Sequence, residues 1–366
     1  MSFAFELARP QDDAALRRIV RESPVPGAVT VAYEREPSYF DGCACHGPFA
    51  QVLVAREEAG GAIAGLSVRA VRDLWVGGAA EPVGYLGQLR VAVPYRGRWL
   101  LSGGFRFLRE LHADGRTPVY LTTLVEGNAE ARALLVERPR RGFPRYRRLG
   151  TLASLAIPSG GGRRAPDGLS VAAAGEADVA EVLGFLSSEG RRRDLFPVLG
   201  LDDLRGAGAY PGLSPPDVFL VRGGGVLLGV AGLWDPSAVR QVVVRGYSGG
   251  MALARPFLDL ALSWRGAGRL PRPGERLRLA FAAFPCVASG DERVFSALLS
   301  ALRAAAARRG LSWLALGLVE GHPLHPLARR AVATSYRSGL YTVSWDDDDA
   351  FRHRLRAPLH VELPAL

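Results

Sequence analysis

The stretch YLGQLRVAVPYRGRWLLSGGFRFLREL, residues 85–111, gathers the residue types that could do chemistry. Its apolar run ends in Val-Pro, turns through Arg96, Gly97 and Arg98, and enters a helical pattern with Leu101, Phe105, Leu108 and Leu111 on one face. A strand, turn and helix joined in this way aim unpaired backbone N–H groups and the helix dipole at whatever lies above the turn. With Arg96 and Arg98 beside it, the turn suits a pyrophosphate. Three residues near it could move a proton: Tyr85 and Gln88 on the incoming strand, and Glu126 at the end of the next. A carboxylate, or a water held by the glutamine, could take the proton of an ammonium group.

Other chemistry-bearing residues read as structural. Cys43, Cys45 and His46 lack a second ligand pair at any zinc-site spacing, so no metal site is expected. Cys286 has no nearby His or Asp pattern to activate it and reads as core. The prolines of HPLHP, residues 322–326, point to a loop, and the Asp run at 346–349 reads as a solvated turn.

The elements that must position these residues occur twice. The letters LVEG stand at 124–127 and again at 318–321, each after a strand-like run. The first half offers a strand at 3–7, a helix with Leu16, Ile19 and Val20 on one face, and a hairpin in QVLVAREEAGGAIAGLSVR. Then come the strand LRVAV (89–93), a helix, and a strand ending in LVEG. The second half repeats that order through LSVAAAGEADVAEVLGFL, DVFLVRGGGVLLGVAGLWD, LRLAF (277–281), a helix with Val294, Phe295, Leu298 and Leu302 inward, and LSWLALGLVEG. The ordered set predicts a duplicated α/β unit on mixed sheet. The Gly-, Pro- and Ser-rich segment 159–168 is the expected linker, dividing domains at 1–158 and 169–366. Extra material at 187–217 and 251–272 has no counterpart in the first half, and PLHVELPAL at the end reads as a closing strand.

Composition bounds the classes. At 366 residues, two domains are expected. No run of about 18 uncharged apolar residues is present to span a bilayer, and the acidic start lacks a secretory pattern, so a cytoplasmic protein is expected. The net charge of +10 comes from a chain whose 46 basic residues are all Arg. They are scattered among acids without aromatic interleaving, which does not make a nucleic-acid face.

Residues 85–111, the downstream GNAEARALL at 127–135 and the strand order of both halves resemble the GNAT superfamily of N-acetyltransferases. The resemblance implies an α/β mixed sheet in two tandem GNAT-like domains, the second degenerate, with acetyl-CoA or another acyl-CoA as co-substrate in a split between two strands. The strand through Leu89, Val91 and Val93 would hold the pantetheine. The turn of Arg96, Gly97, Arg98 and Trp99, with Leu101 and Ser102, would hold the pyrophosphate, and Asn128 would touch the cofactor arm. Trp99 and Leu101 stand where the family has small residues, and Leu135 where it often has a tyrosine acid. The implied activity is direct acyl transfer to a small-molecule or peptide amine. The alternatives are a non-catalytic sensing or scaffolding member, and a transferase using aminoacyl-tRNA as in the Fem family, although no helical-hairpin insertion is present. In the second half Asp291 and Glu292 stand at the helix start and read as caps.

Overall fold

The computed structural model describes every residue except Met1, Arg98, Trp99, Arg163, residues 265–268 and Ala357, with the side chains of residues 261–264 also outside the description. The strands are β1 (Phe3–Leu7), β2 (Val29–Glu34), β3 (Phe49–Glu57), β4 (Ile63–Val76), β5 (Ala79–Val91), β6 (Tyr120–Val125), β7 (Arg145–Pro158), β8 (Leu169–Ala173), β9 (Val218–Gly223), β10 (Val226–Trp234), β11 (Gln241–Tyr247), β12 (Leu279–Val287), β13 (Trp313–Val319) and β14 (Thr334–Ser344).

Twelve of them form one mixed sheet in the order β1-β3-β4-β5-β6-β14-β7-β13-β12-β10-β9-β8. Side chains alternate across this sheet, so each half buries both faces. On β3, Val52 and Val54 pack with Leu16, Ile19 and Val20 of the helix Asp13–Arg21. Leu53 between them packs on the other face with Phe105 and Leu108 of the helix Leu100–His112. In the second half, Leu220 on β9 joins Val182 and Leu186 of the helix Val179–Gly190. Its neighbours Phe219 and Val221 meet Val294, Leu298 and Leu302 of the helix Glu292–Arg308. Each such buried aliphatic side chain contributes roughly 1.5–3 kcal/mol, which makes this alternation the main determinant of which face each helix covers.

The strand order reads as two mirrored runs of six whose final strands, β7 and β14, have changed places. β14, late in the chain, lies antiparallel between β6 and β7, and β7 pairs in turn with β13. The two LVEG segments meet along this seam. The Glu126 amide donates to the Arg337 carbonyl on β14, and the Glu320 amide donates to the Thr151 carbonyl on β7. β2 and β11 form a separate antiparallel ribbon.

Several expectations change. The C-terminal segment is not a closing strand: with prolines at 358 and 364 it makes one bridge, Asp194 to Leu359, and ends in the 3-10 turn Leu363–Ala365. β14 supplies the seam strand instead. The HPLHP segment starts a short helix, His325–Arg329, because Pro326 falls in its first turn, where its missing N–H costs nothing. Arg147 ion-pairs with Asp347, Asp348 and Asp349, and the helix Asp349–Arg354 begins in that run, so it is not simply solvated. Segment 159–168 crosses the helix Glu292–Arg308 closely: Gly160 donates to the Arg303 carbonyl, and a Cβ on Gly162 would lie 2.8 Å from that of Ala304.

Candidate functional site

β5 and β6 run parallel for only two rungs, Gly84 with Tyr120 and Tyr85 with Leu121. Thr122 Oγ1 then donates to the Leu86 carbonyl at 2.7 Å. Beyond it, among the described residues, the two strands continue without pairing. β5 is deformed at that point by a bulge: Gln88 and Leu89 together face Ser67 of β4, and Gln88 has φ of 56°. Past Tyr85 the edge of β5 that a neighbouring strand would ordinarily satisfy has, among the described residues, no strand partner on the β6 side. Gly87 is required here, because the Tyr85 ring lies over it and a Cβ would come within 2.5 Å of that ring.

The candidate donor residues follow in order along this path. Leu89 is exposed on the bulge, and Val91 packs under the following helix with Leu100 and Tyr95. β5 ends at Val91, so Val93 belongs to a 3-10 turn, Val93–Tyr95, with its side chain exposed. Arg96 and Gly97 complete the turn, both exposed, and Gly97 has φ of 78°, a conformation that favours glycine. Arg98 and Trp99 lie outside the described residues. Leu101 is half-buried against the Phe105 cluster and Ser102 is exposed. Gly103, inside the helix, serves packing, since a Cβ there would sit 2.1 Å from the Phe5 ring. Asn128 caps the helix Ala129–Arg132 by accepting from the Ala131 amide at 3.0 Å. Leu135 is core, packed with Leu53 and Phe105.

The three candidate proton-handling residues are divided. Gln88 and Tyr85 flank the split, and the Gln88 side-chain oxygen is buried with no hydrogen-bond partner. Glu126 sits at the seam, one carboxylate oxygen 3.0 Å from Arg148 and the other 3.4 Å from Arg337, which also holds Glu320 at 2.9 Å. The two LVEG glutamates therefore share an arginine.

Around Tyr85 lies a set of residues that sequence reasoning missed. The Tyr85 ring stacks on His46, centroids 5.1 Å apart. His46 is fully buried, with Nδ1 on the Ala365 carbonyl and Nε2 accepting from Arg35, each at 2.7 Å. Burial, with Arg35 beside it, holds the imidazole well below its usual pKa. Arg35 is itself buried, donates to the Cys43 sulfur and lies over the Tyr39 ring at 4.7 Å. Burial pushes the Tyr85 phenol up, and Arg240, Arg35 and Arg90 oppose the shift. The same holds for Tyr33 on β2, opposed by Arg240 and Arg90. These residues come from β2, the turn after it, β5 and the loop before β11, with no spacing signal to unite them.

The second half repeats the geometry with a different outcome. β12 and β13 pair in parallel up to Phe281 with Ala315, and β12 bulges at Phe284, φ 40°. Measured from the last rung, Phe281 stands where Tyr85 does and Phe284 where Gln88 does. LRLAF therefore precedes the bulge while LRVAV starts on its second residue and follows it, so the two motifs are not structural counterparts; pairing register, not shared letters, sets the match. This second split is filled. Glu362 accepts from the Phe284 amide through both carboxylate oxygens, at 3.0 and 3.1 Å, and His360 holds Glu362 at 3.0 Å. Leu363 lies over Gly317, with its Cβ 2.8 Å from where one on that glycine would stand. Cys286 is fully buried, its thiol pushed up to about 12 by burial, and Asp291 caps the following helix by accepting from Arg293 and Val294.

No helix among the described residues is long and apolar enough to cross a membrane. No protein-family model matches the sequence, and no curated protein matches it. Solved structures do. N-myristoyltransferase of Saccharomyces cerevisiae with bound myristoyl-CoA superposes with a TM-score of 0.59 at 10% identity, over 93% of this chain and 82% of that one. A GCN5-related N-acetyltransferase from Sphaerobacter thermophilus gives 0.55 at 13% identity, over 93% and 95%. The GCN5-related glucosamine N-acetyltransferase region of a fungal multi-domain GH3 β-N-acetylglucosaminidase gives 0.59 at 13%, over 93% and 38%. At these identities the likeness is one of fold: a mixed α/β fold matching GNAT-like acyltransferases, with a twelve-stranded sheet that fits two such domains.

Proposed function

We propose that the chain is an N-acyltransferase of tandem GNAT-like build, moving an acetyl or longer acyl group from a CoA thioester to an amine. The observation that carries this reading is the contrast between the splits. The first leaves the bulged edge of β5 open at Gln88, whereas the equivalent Phe284 amide is taken by Glu362. The donor belongs in the first split, with residues 87–91 offering backbone partners to its pantetheine and the turn at Arg96 and Gly97 receiving its phosphates. The domains divide at 158 and 169, and the second serves as a wall and a strand donor.

The chemistry is direct. The amine nitrogen attacks the thioester carbonyl, the C–N bond forms as the C–S bond breaks, and the ammonium proton passes to water while the thiolate leaves and is protonated. Gln88, through its unpartnered oxygen, holds the amine or that water. Tyr85, kept protonated by burial, is a hydrogen-bond donor to the acceptor rather than a base. Glu126 is assigned to the seam, because two guanidinium groups occupy its oxygens.

Calorimetric titration with acetyl-CoA and a longer acyl-CoA tests the reading. One site per chain is expected, weakened at least about tenfold by Arg96→Ala with Arg98→Ala, the loss anticipated for charge-assisted phosphate contacts. Two sites per chain, or binding that survives the double substitution, would overturn the assignment of the donor to the first half.

A further inference from the structure

The acceptor side of the split is charged in one sense. The ionic groups acting on Tyr85 are Arg240, Arg35 and Arg90, and those acting on Tyr33 are Arg240 and Arg90, every one a cation. Arg35 is 2% exposed, and its partners are a thiol sulfur, a neutral imidazole and an aromatic face. A guanidinium withdrawn from water without a carboxylate is costly unless something else supplies negative charge. Nearby acids are spent elsewhere: Glu34 pairs with Arg245, and Glu36 with Arg17 and Arg21. Polar atoms facing this region are also unsatisfied, namely the Gln88 side-chain oxygen, Arg90 Nε and the Tyr39 hydroxyl.

Arg240 links this wall to a cavity of about 790 Å³ that it lines together with Arg269, Arg276 and Arg278. The cavity lies at the start of β12. Because β7 runs antiparallel to β13 and parallel to β6, that end of the second half faces the same edge of the sheet as the mouth of the first split. Two acids also line it, Asp235 and Glu275, and Glu275 is engaged by Arg269 at 3.5 Å and by the Arg272 amide. The lining thus keeps Arg276 and Arg278 available to a ligand, in a volume suited to a small molecule.

We propose that the acceptor amine carries an anionic group, a carboxylate, which docks on Arg276 and Arg278 in the cavity that Arg240 also lines, while the amine reaches the split at Gln88. Arginine suits the role, since its fork matches a carboxylate with two parallel hydrogen bonds. The inference rests on the acyl-transfer reading for the amine's position, and on the cavity alone for the carboxylate's.

The test uses the full chain, acetyl-CoA, and a series of ω-amino acids of increasing length, each beside its own carboxamide. Thiol release reports turnover, and calorimetry reports binding of each amine with CoA present. The carboxylate member is expected to be favoured at least about tenfold in kcat/KM and in Kd at the best length, as charge-assisted bidentate contacts imply. That preference should fall toward unity in Arg276→Gln with Arg278→Gln, two exposed positions whose loss leaves acetyl-CoA affinity unchanged. Arg240→Gln is the second variant, read only if folded, because Arg240 also holds the Pro364 and Leu366 carbonyls. Equal use of acid and amide, preference for the amide, or a preference that survives the double variant overturns the proposal. Carboxylate-selective binding without acetyl-CoA binding would instead sink the donor reading and leave the cavity's specificity standing.

Discussion

At the scale of single residues, the bulge at Gln88 is where position outweighs residue type. Its amide oxygen is buried without a partner, so removing it relieves a desolvated group while taking away the hydrogen-bond partner proposed for the acceptor. Gln88→Ala is expected to lower kcat at least about tenfold, within the range for a positioned proton-transfer group, and to leave acetyl-CoA affinity unchanged. Steady-state kinetics beside calorimetry separates the two. A second residue-scale prediction concerns His322, whose Nδ1 accepts from the Leu324 amide and whose pKa burial lowers to about 4. The folded pKa lies below the unfolded value near 6.5, so the unfolded chain binds the extra proton. His322 therefore favours folding fully above pH 6.5, and that stability is lost as pH falls toward 4. Between pH 6.5 and 5 the loss is about 2 kcal/mol, and His46, depressed by the same cause, adds to it. Denaturant midpoints across that window check this, and His322→Asn, which keeps an acceptor but cannot titrate, should flatten the slope.

At the scale of elements, the helix Leu100–His112 shows how much a local pattern carries. Its apolar spacing was legible, and Phe105 and Leu108 are buried as expected. The purpose of its glycines was not: Gly103 admits the Phe5 ring of β1, a contact formed across about a hundred residues of chain. Gly103→Ala gains up to about 1 kcal/mol of helix propensity but drives a methyl into that ring, which costs about 1–3 kcal/mol, so the variant should melt lower by calorimetry. The start of β5 was equally hidden. Ala79–Val91 begins ten residues before LRVAV, because the pair Gly77 and Gly78, both with positive φ, turns β4 directly into it as a hairpin. The sequence pattern expected a turn at Arg96 and Gly97 and the chain does turn there, but Val93 lies past the strand end, where Pro94 stops the ladder.

At the scale of the molecule, the exchanged strands set the behaviour. Because β14 fills the place between β6 and β7, a first half alone would present β6 and β7 as unpaired edges, and a second half alone would lack the partner of β13. Residues 1–162 and 165–366, expressed separately, are expected to be insoluble, and expressed together to copurify as one complex. Soluble, monomeric halves would show that the seam is dispensable. The filled second split gives a further expectation. Glu362→Ala bares the Phe284 amide and strips His360 of its partner, so it should cost about 1–3 kcal/mol in denaturant unfolding without adding a second acyl-CoA site.

The ordered repeat of strands and helices, the Arg96 turn and the structural role of Cys286 were written in local patterns, since hydrophobic period and turn chemistry act over a few residues. The exchange of β7 and β14, the closing of one split by Glu362 and the meeting of Arg35, Arg90 and Arg240 around Tyr85 were not. Each joins segments far apart in the chain. Their partners are selected by pairing register, by the burial of whole faces and by the need to satisfy charge taken out of water, quantities that exist only once the chain has folded.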